Sequence, residues 1–172
     1  MPVAQKNSNA FHIALLPGDG IGPEVMAAGR RVMEKIGADA GIRFHFDEFL
    51  AGGACLDAHG VPLRPDDLDR MRASDAVLLA AIGGPKWDTG PSNLRPEAGL
   101  LALRKGLGAF ANLRPAKIFP DLVGASKLKP ELASRVDILI FRELTGGLYF
   151  GRPRGRSGQK GSREGLNTMR YS

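Results

Sequence analysis

The stretch from Phe11 to Glu24, FHIALLPGDGIGPE, decides the fold class of this chain. Its first six residues form a short apolar run that ends at Pro17, which is typical of a buried strand. Pro23 suits the first turn of a helix, and Glu24 complements the positive end of the helix dipole. The glycines between strand and helix either present backbone N–H groups to a phosphate or form only a tight structural turn. These residues alone leave both interpretations open.

Strands and helices alternate outward from this stretch. A helix is predicted from Pro23 to Gly37, where a glycine suits the end of a helix. Its apolar positions at helical spacing are Val25, Ala28, Val32, Met33 and Ile36. Further strands are predicted at 43–50, 76–82, 110–119 and 137–141, and further helices at 65–74, 97–107 and 129–134. The strand 76–82, AVLLAAI, is apolar throughout, so we expect it to be buried on both faces. The alternation predicts an α/β fold with a largely parallel sheet and flanking helices.

The composition is that of an ordinary globular protein. Of the 172 residues, 43% are hydrophobic and 24% are charged. No apolar run approaches the ~20 residues that cross a bilayer, and the first ten residues are too polar for a secretory signal. Cys55 is the only cysteine, so an internal disulfide is impossible. We therefore expect a cytoplasmic protein without a membrane partner.

The net charge of +6 raises the question of nucleic-acid binding. Much of the positive charge lies in the glycine-rich stretch after Phe150, the one low-complexity candidate (151–165). Its basic residues are Arg152, Arg154, Arg156, Lys160 and Arg163, and Arg170 lies just beyond it. No aromatic residue for base stacking occurs in 151–170, so a solvated loop is favoured and no nucleic-acid partner is expected.

Six sequence blocks, in this order, resemble the β-decarboxylating dehydrogenases, the family of isocitrate, isopropylmalate, tartrate and D-malate dehydrogenases. The blocks are LLPGDGIGPEV (15–25), AIGGPKWD (81–88), RPEAGLLALRK (95–105), ANLRPAK (111–117), RELTGGLYFG (142–151) and NTMRYS (167–172). The resemblance implies an isopropylmalate dehydrogenase-like fold, incomplete in this chain. It assigns 1–108 to the cofactor-side domain and 109–172 to the start of the substrate and dimer domain.

The predicted helix 97–107 carries an unusual combination of side chains on one face. Glu97, Leu100, Leu101 and Arg104 follow the i, i+3, i+4, i+7 spacing. Spacing alone fits either a partly buried helix or a pocket wall for an apolar group attached to an acid. The resemblance implies the pocket wall, with these four residues at the substrate.

Three arginines on three predicted elements are candidates for binding carboxylates, because a guanidinium offers a planar pair of donors that lysine lacks. The resemblance implies that Arg104, Arg114 and Arg142 hold the malate portion of the substrate. It also implies that Tyr149 faces the substrate and acts in proton transfer, whereas an aromatic beside glycines is otherwise most often a packing residue.

The loop that follows strand 76–82 leaves the sheet where open parallel sheets bind cofactors. The resemblance implies NAD here, held by Gly84, Pro85, Lys86, Trp87, Asp88, Arg95, Pro96 and Glu97. It also implies Mg or Mn, with no metal ligand in this chain. A lysine base and metal-binding aspartates are expected after residue 172, together with homodimer formation through a basic arm near 150–165.

The dehydrogenases of this family differ in the side chain of the substrate that they accept. Isocitrate carries a carboxylate where isopropylmalate carries an isopropyl group, and a carboxylate buried against Leu100 and Leu101 would be unfavourable. The expected reaction is therefore the oxidative decarboxylation of (2R,3S)-3-isopropylmalate to 4-methyl-2-oxopentanoate with NAD, in leucine biosynthesis. A tartrate, D-malate or isocitrate-type dehydrogenase stays an alternative, as does a non-catalytic remnant. The isolated chain is expected to be inactive and poorly folded.

Overall fold

A computed structural model describes residues 9–159 and 161–171 of the chain. Lys160 of the basic stretch, Ser172 of the last sequence block and most of the polar first ten residues lie outside the described residues. The chain forms two compact units, of which the first ends at Leu107 and the second begins at Gly108. The cofactor-side and substrate-side roles expected of the two parts stay a prediction.

The first unit is a parallel sheet with helices on both faces. Its strands are β1 (Ala10–Gly18), β2 (Arg43–Glu48) and β3 (Ala76–Ala81), and their order in the sheet is β2-β1-β3. Both neighbours run parallel to β1. The helices are α1 (Gly22–Ala40), α2 (Gly53–His59), α3 (Pro65–Arg72) and α4 (Pro96–Gly106). The predicted α/β fold is confirmed here, although α2 was absent from the sequence prediction.

Strand β1 is the centre of the core because its alternate side chains are buried on opposite faces of the sheet. Ile13 and Leu15 pack with Met26 of α1. The other face packs Ala14 and Leu16 with residues of α3, α4 and the intervening loops, which are Phe49, Ala51, Leu63, Met71 and Leu103. The apolar run FHIALL is therefore the buried strand that the sequence predicted.

Helix α1 is longer than predicted. It continues past Gly37 to Ala40 and ends at Gly41, whose φ of +67° is the left-handed conformation that glycine adopts readily. Gly37 is instead a packing residue, since a Cβ at this position would lie 3.1 Å from the ring of Phe44. The prediction that Gly37 ends the helix is wrong because this glycine allows α1 to approach β2.

Most of the apolar positions predicted for α1 do not lie on its packed face. Val25, Val32 and Ile36 are each at least half exposed. Met33 is the exception, since it packs against the cluster of Ile13, Leu15 and Met26. The spacing therefore predicted the helix correctly but most of its packed face wrongly.

Strand β3 departs from the expectation of burial on both faces. Ala76 is exposed and the next five residues are only half-buried. The strand lies at an edge of the three-stranded sheet, with β1 on one side. An apolar run alone does not distinguish a central strand from such an edge strand.

The second unit contains antiparallel pairs rather than a parallel sheet. Strands β4 (Ala111–Lys117) and β5 (Asp137–Glu143) pair antiparallel, and β6 (Gly155–Ser157) pairs antiparallel with β7 (Glu164–Leu166). Two short helices, α5 (Pro130–Ala133) and α6 (Gly147–Phe150), complete it. The glycine-rich stretch predicted as a loop is thus partly a short, exposed hairpin. Among the described residues, no helix is both long and apolar enough to cross a membrane.

Candidate functional site

Asp19, in the turn between β1 and α1, joins three segments of the first unit. Its side chain is only 4% exposed. One carboxylate oxygen accepts hydrogen bonds from the backbone N–H groups of Gly53 and Gly83, both at 2.8 Å, and the other accepts from Ala54 at 2.7 Å. The carboxylate therefore caps the start of α2 and fixes the residue that begins the loop after β3.

The glycine-rich turn itself is closed by contacts within the protein. The N–H of Asp19 donates to the carbonyl of Ala81 at 2.8 Å, and that of Gly22 donates to the carbonyl of Asp19 at 2.9 Å. A Cβ at Gly18, whose φ is +73°, would lie 1.8 Å from the Ala81 oxygen. These N–H groups are already bonded and a buried carboxylate lies beside them, so the geometry favours the tight structural turn over a phosphate site.

The loop after β3 is fixed to α2 through Asp57. The Lys86 ammonium lies 2.6 Å from one oxygen of this carboxylate, and the indole N–H of Trp87 donates to the other at 3.2 Å. The hydrogen bond from Lys86, followed by that from Trp87, lowers the pKa of Asp57 below its ordinary value. The Trp87 ring lies against Gly53, where a Cβ would come within 2.4 Å of it.

The residues expected to bind the cofactor lie at the carboxyl end of β3 and at the start of α4. Pro85, Lys86, Asp88, Arg95 and Glu97 are exposed, whereas Gly84 and Trp87 are half-buried and Pro96 is buried. A carboxylate oxygen of Glu97 would lie 3.0 Å from a Cβ at Gly83, so the two segments meet there. The structure brings this set of residues together within the first unit. Pro96 differs from the rest because it packs beneath the surface as the first residue of α4.

The four residues expected to bind the substrate on α4 do not contribute to the core. Leu103 is the core residue of this helix, at 5% exposure, with the buried Gly99 one turn before it. Leu100, Leu101 and Arg104 are half-buried and Glu97 is exposed. The helix therefore already has a core face of its own, and a second, partly open apolar face lies beside it. The role of these residues at the substrate stays a prediction.

The second unit brings together the other candidates. Arg142 of β5 lies directly opposite Asn112 of β4, and the Nε of Arg114 donates to the Asn112 side chain at 2.7 Å. Residues that face each other in an antiparallel pair share one face, so both arginines lie on the same face of this ribbon. The Arg142 guanidinium also lies 5.4 Å from the centre of the Tyr149 ring. Arg142, Arg114 and Tyr149 are thus neighbours, whereas Arg104 belongs to the first unit.

The turn that carries Tyr149 is held by Glu143. Its carboxylate accepts hydrogen bonds from the N–H and hydroxyl of Thr145, at 2.6 and 2.8 Å, and from the N–H of Gly146 at 2.9 Å. The Thr145 hydroxyl in particular lowers the pKa of this carboxyl. Gly147 donates to the carbonyl of Arg170 at 2.8 Å, so the last sequence block packs against the block that contains Tyr149.

The candidate cofactor residues lie close together, whereas the described residues offer no cluster for a metal. Within 9–159 and 161–171, no group of three or more His, Cys, Asp or Glu side chains is placed to hold a metal ion. The loop 84–88, in contrast, offers a half-buried aromatic ring, a lysine and a nearby glutamate at the carboxyl end of a parallel strand, where such sheets bind cofactors.

Two residues of this arrangement were missed by the sequence analysis. Asp19 was treated as part of a glycine-rich motif, and Asp57 lies on α2, for which no helix was predicted. The pair Gly52-Gly53 before an apolar run was the available signal, since glycines permit the close approach of Asp19 and Trp87. Contacts over 29 to 64 residues of sequence are not visible in local patterns.

Comparison with known proteins gives consistent results. The family model of isocitrate/isopropylmalate dehydrogenases matches residues 12–172. The 3-isopropylmalate dehydrogenase of Saccharophagus degradans is 55% identical over 161 residues, which are 93% of this chain and 45% of that protein. The Synechocystis protein of the same name is 54% identical over 166 residues, 96% of this chain and 46% of its own length. The chain thus spans a little under half the length of these relatives.

Solved structures agree in fold. The β-decarboxylating dehydrogenase from Thermococcus kodakarensis in its apo form has a TM-score of 0.62 at 31% identity, covering 93% of this chain and 41% of that one. The isocitrate dehydrogenase from Methylococcus capsulatus has a TM-score of 0.69 at 28% identity, covering 92% of this chain and 42% of that one. Together with the six ordered sequence blocks, these matches show that the chain belongs to the isocitrate/isopropylmalate dehydrogenase family.

Proposed function

We propose that this chain supplies part of the active site of an enzyme that oxidatively decarboxylates (2R,3S)-3-isopropylmalate to 4-methyl-2-oxopentanoate with NAD. Relatives that are 54–55% identical over more than nine-tenths of the chain are named 3-isopropylmalate dehydrogenase, which supports this proposal. This reaction would belong to leucine biosynthesis, and it would take place in the cytoplasm. A tartrate, D-malate or isocitrate-type reaction of the same family is the alternative.

The observation that carries the choice of substrate is the second apolar face of α4. Leu103 occupies the core, so Leu100 and Leu101 are free to form a pocket wall. Both are half-buried and neither offers a hydrogen-bond donor to an acid. An isopropyl group gains about 25 cal/mol for each Å² of apolar surface that it buries there. A carboxylate in its place would lose its hydration without gaining a partner.

The arginines would hold the malate portion of the substrate. Arg114 and Arg142 share one face of the β4–β5 ribbon, and a carboxylate bound by Arg142 would lie near Tyr149. Arg104, on the same helix as Leu100 and Leu101, is also proposed to bind a substrate carboxylate. Guanidinium groups suit this role because two parallel N–H donors orient a carboxylate as well as attract it.

The chemistry assigned to this chain is proton transfer at Tyr149. When bound, NAD would supply the hydride acceptor for oxidation of the 2-hydroxyl group, whose proton leaves to a base. Loss of CO2 from C3 leaves the bonding electrons in an enolate. The phenol of Tyr149 would donate a proton to C3, which gives the 2-oxo acid, and the phenolate would then be reprotonated from solvent. The proton transfer to C3 is a step for a positioned general acid. The loop 84–88, with Arg95, Pro96 and Glu97, would hold the cofactor.

A divalent metal, Mg or Mn, is part of the proposal, but no cluster among the described residues fits it. We propose that its ligands and the base lie outside the described residues. The active protein is proposed to be a homodimer in which the exposed hairpin β6–β7 contributes to the subunit contact.

A comparison of two proteins tests the proposed function. The first is the 172-residue chain, and the second is a chimera that continues it with the aligned remainder of the Saccharophagus relative. NADH formation would be followed with isopropylmalate, D-malate and isocitrate in the presence of Mg, with the relative itself as the positive control. The chain alone should be inactive, and the chimera should turn over isopropylmalate best.

Different results would contradict different parts of the proposal. A chimera that prefers D-malate or isocitrate would refute the substrate. A folded chimera with no activity on any of the three would support the non-catalytic alternative. Clear turnover by the 172-residue chain would show that the missing base and metal ligands are within it.

A further inference from the structure

The side chain of Asp57 accepts hydrogen bonds from two side chains of the loop 84–88, Lys86 and Trp87. It lies on α2 and receives one hydrogen bond from Lys86, at 2.6 Å, and one from the Trp87 indole, at 3.2 Å. The Lys86 ammonium also lies 5.1 Å from the centre of the Trp87 ring. The three side chains therefore restrain one another, because the cation contacts both the carboxylate and the aromatic face.

Helix α2 is itself fixed at the opposite end. The N–H groups of Gly53 and Ala54 donate to Asp19, which also accepts from Gly83 just before the loop. Asp19 thus holds the residue just before the loop directly, and Asp57 holds the centre of the loop. Asp19 also fixes the start of the helix that carries Asp57.

The backbone of the loop needs such anchors. Gly83 has a φ of +106°, and Gly84 follows it directly. Glycines have more conformational freedom in an unrestrained chain than any other residue, so a free loop of this sequence would sample many conformations. The Trp87 ring is also confined on the side of Gly53, where even one methyl group would displace it.

We propose that Asp57 is a positioning residue that holds the loop 84–88 in the conformation that binds the nicotinamide cofactor. This inference rests on the proposed function, which places the cofactor at this loop. Asp57 does not touch the reacting atoms, and it acts through Lys86 and Trp87. The three residues Asp57, Lys86 and Trp87 are called the loop clamp below.

The clamp should act on cofactor affinity more than on turnover. A loop that is already ordered loses less conformational entropy when a ligand binds, and this gain appears as tighter binding. Asp57 and Lys86 are about half exposed, so solvent weakens their ion pair. Loss of both hydrogen bonds should raise the KM for NAD by about tenfold, with little change in kcat.

Trp87 makes the clamp directly observable because it is the only tryptophan of the chain. In the chimera, with any tryptophan of the appended part replaced by phenylalanine, Asp57→Ala should shift the Trp87 emission to longer wavelength and increase its quenching by acrylamide. Asp57→Asn keeps the shape and one acceptor oxygen, so its effect should be intermediate. Asp39→Asn is the matched control, since it removes an exposed Lys35–Asp39 ion pair of the same type on α1.

The kinetic test uses the chimera that passes the activity assay above. Asp57→Ala should raise the KM for NAD about tenfold while the KM for isopropylmalate and kcat stay within twofold of the parent values. Asp57→Asn should recover part of the affinity, and Asp39→Asn should match the parent protein. A residue with a merely structural role would not change one KM selectively.

The possible results separate the two proposals. If the parent chimera turns over but Asp57→Ala leaves its KM for NAD unchanged, the positioning role is refuted and the proposed function stands. Equal emission and quenching in parent and Asp57→Ala would refute the clamp itself. A parent chimera that neither binds nor reduces NAD would refute the proposed function, and the positioning role with it.

Discussion

Asp19→Asn should destabilise the first unit although it replaces only one atom. The carboxylate is buried and accepts three backbone hydrogen bonds of 2.7–2.8 Å from Gly53, Ala54 and Gly83. Asparagine keeps one acceptor oxygen and presents an NH2 group in place of the other. In either orientation at least one backbone N–H then faces a donor, and the charge that strengthened all three bonds is lost.

The magnitude follows from these contacts. An unsatisfied buried donor costs about 1–3 kcal/mol, so the loss of one bond and the weakening of two should cost about 2–3 kcal/mol. Asp19→Ala removes all three acceptor contacts and should cost about 3–6 kcal/mol, a large part of the stability of a small domain. Asp66→Asn is the control, because that side chain is 86% exposed and lies 3.8 Å from Arg64.

Urea unfolding followed by Trp87 emission measures the effect in the first unit, where this single tryptophan lies. With a typical slope of about 1–3 kcal/mol per M, the midpoint for Asp19→Asn should fall by roughly 1–2 M. Amide exchange at Gly53, Ala54 and Gly83 should accelerate in the same variant. A midpoint within the error of the parent, like that expected of Asp66→Asn, would refute the role assigned to the Asp19 carboxylate.

Three further predictions concern the chimera. Arg142→Ala should lose about 2–5 kcal/mol of transition-state binding, and Arg142→Lys should recover little because lysine lacks the paired donors. An unchanged kcat/KM in steady-state kinetics would remove Arg142 from the site. The double variant Leu100→Ser/Leu101→Asn should shift the preference from isopropylmalate toward isocitrate or D-malate, by about 1 kcal/mol for each lost methylene. An unchanged ratio of kcat/KM between these substrates would place the pocket elsewhere. Tyr149→Phe should slow formation of the final 2-oxo acid more than formation of NADH in single-turnover experiments, whereas wild-type rates in both phases would make Tyr149 a packing residue.

The elements that could be predicted from sequence are those whose signals are local. β1 combines an apolar run with a Pro-Gly end, and α4 combines a proline start with helical spacing, so both were predicted within two residues. Burial was predicted less well, because it depends on neighbours rather than on the element itself. β3 is as apolar as a central strand but lies at an edge of the sheet. α1 packs through Met26 and Met33, whereas the equally apolar Val25 and Val32 are exposed.

The candidate site likewise contains residues that could be predicted from the sequence and residues that could not. The arginines, leucines and Tyr149 could be named because six sequence blocks resemble one family, and the structure places Arg114, Arg142 and Tyr149 together. Their functional roles stay predictions.

The residues that hold the loop 84–88 and the preceding Gly83 in place were not predictable from local patterns. Asp19 reaches Gly83 across 64 residues of sequence, and Asp57 reaches Lys86 across 29. A single polar side chain gives no periodic signal in the sequence. Its N–H partners here are distant in sequence and lie close only in the folded unit. The glycines of the PGDGIG turn illustrate the consequence. Read locally, they suggest a site where backbone N–H groups meet an external anion. In the folded unit the anion is the chain's own Asp19, and its partners belong to α2 and to the loop after β3. The turn therefore carries the carboxylate that bonds α2 and Gly83, and this internal role explains its glycines without an external phosphate.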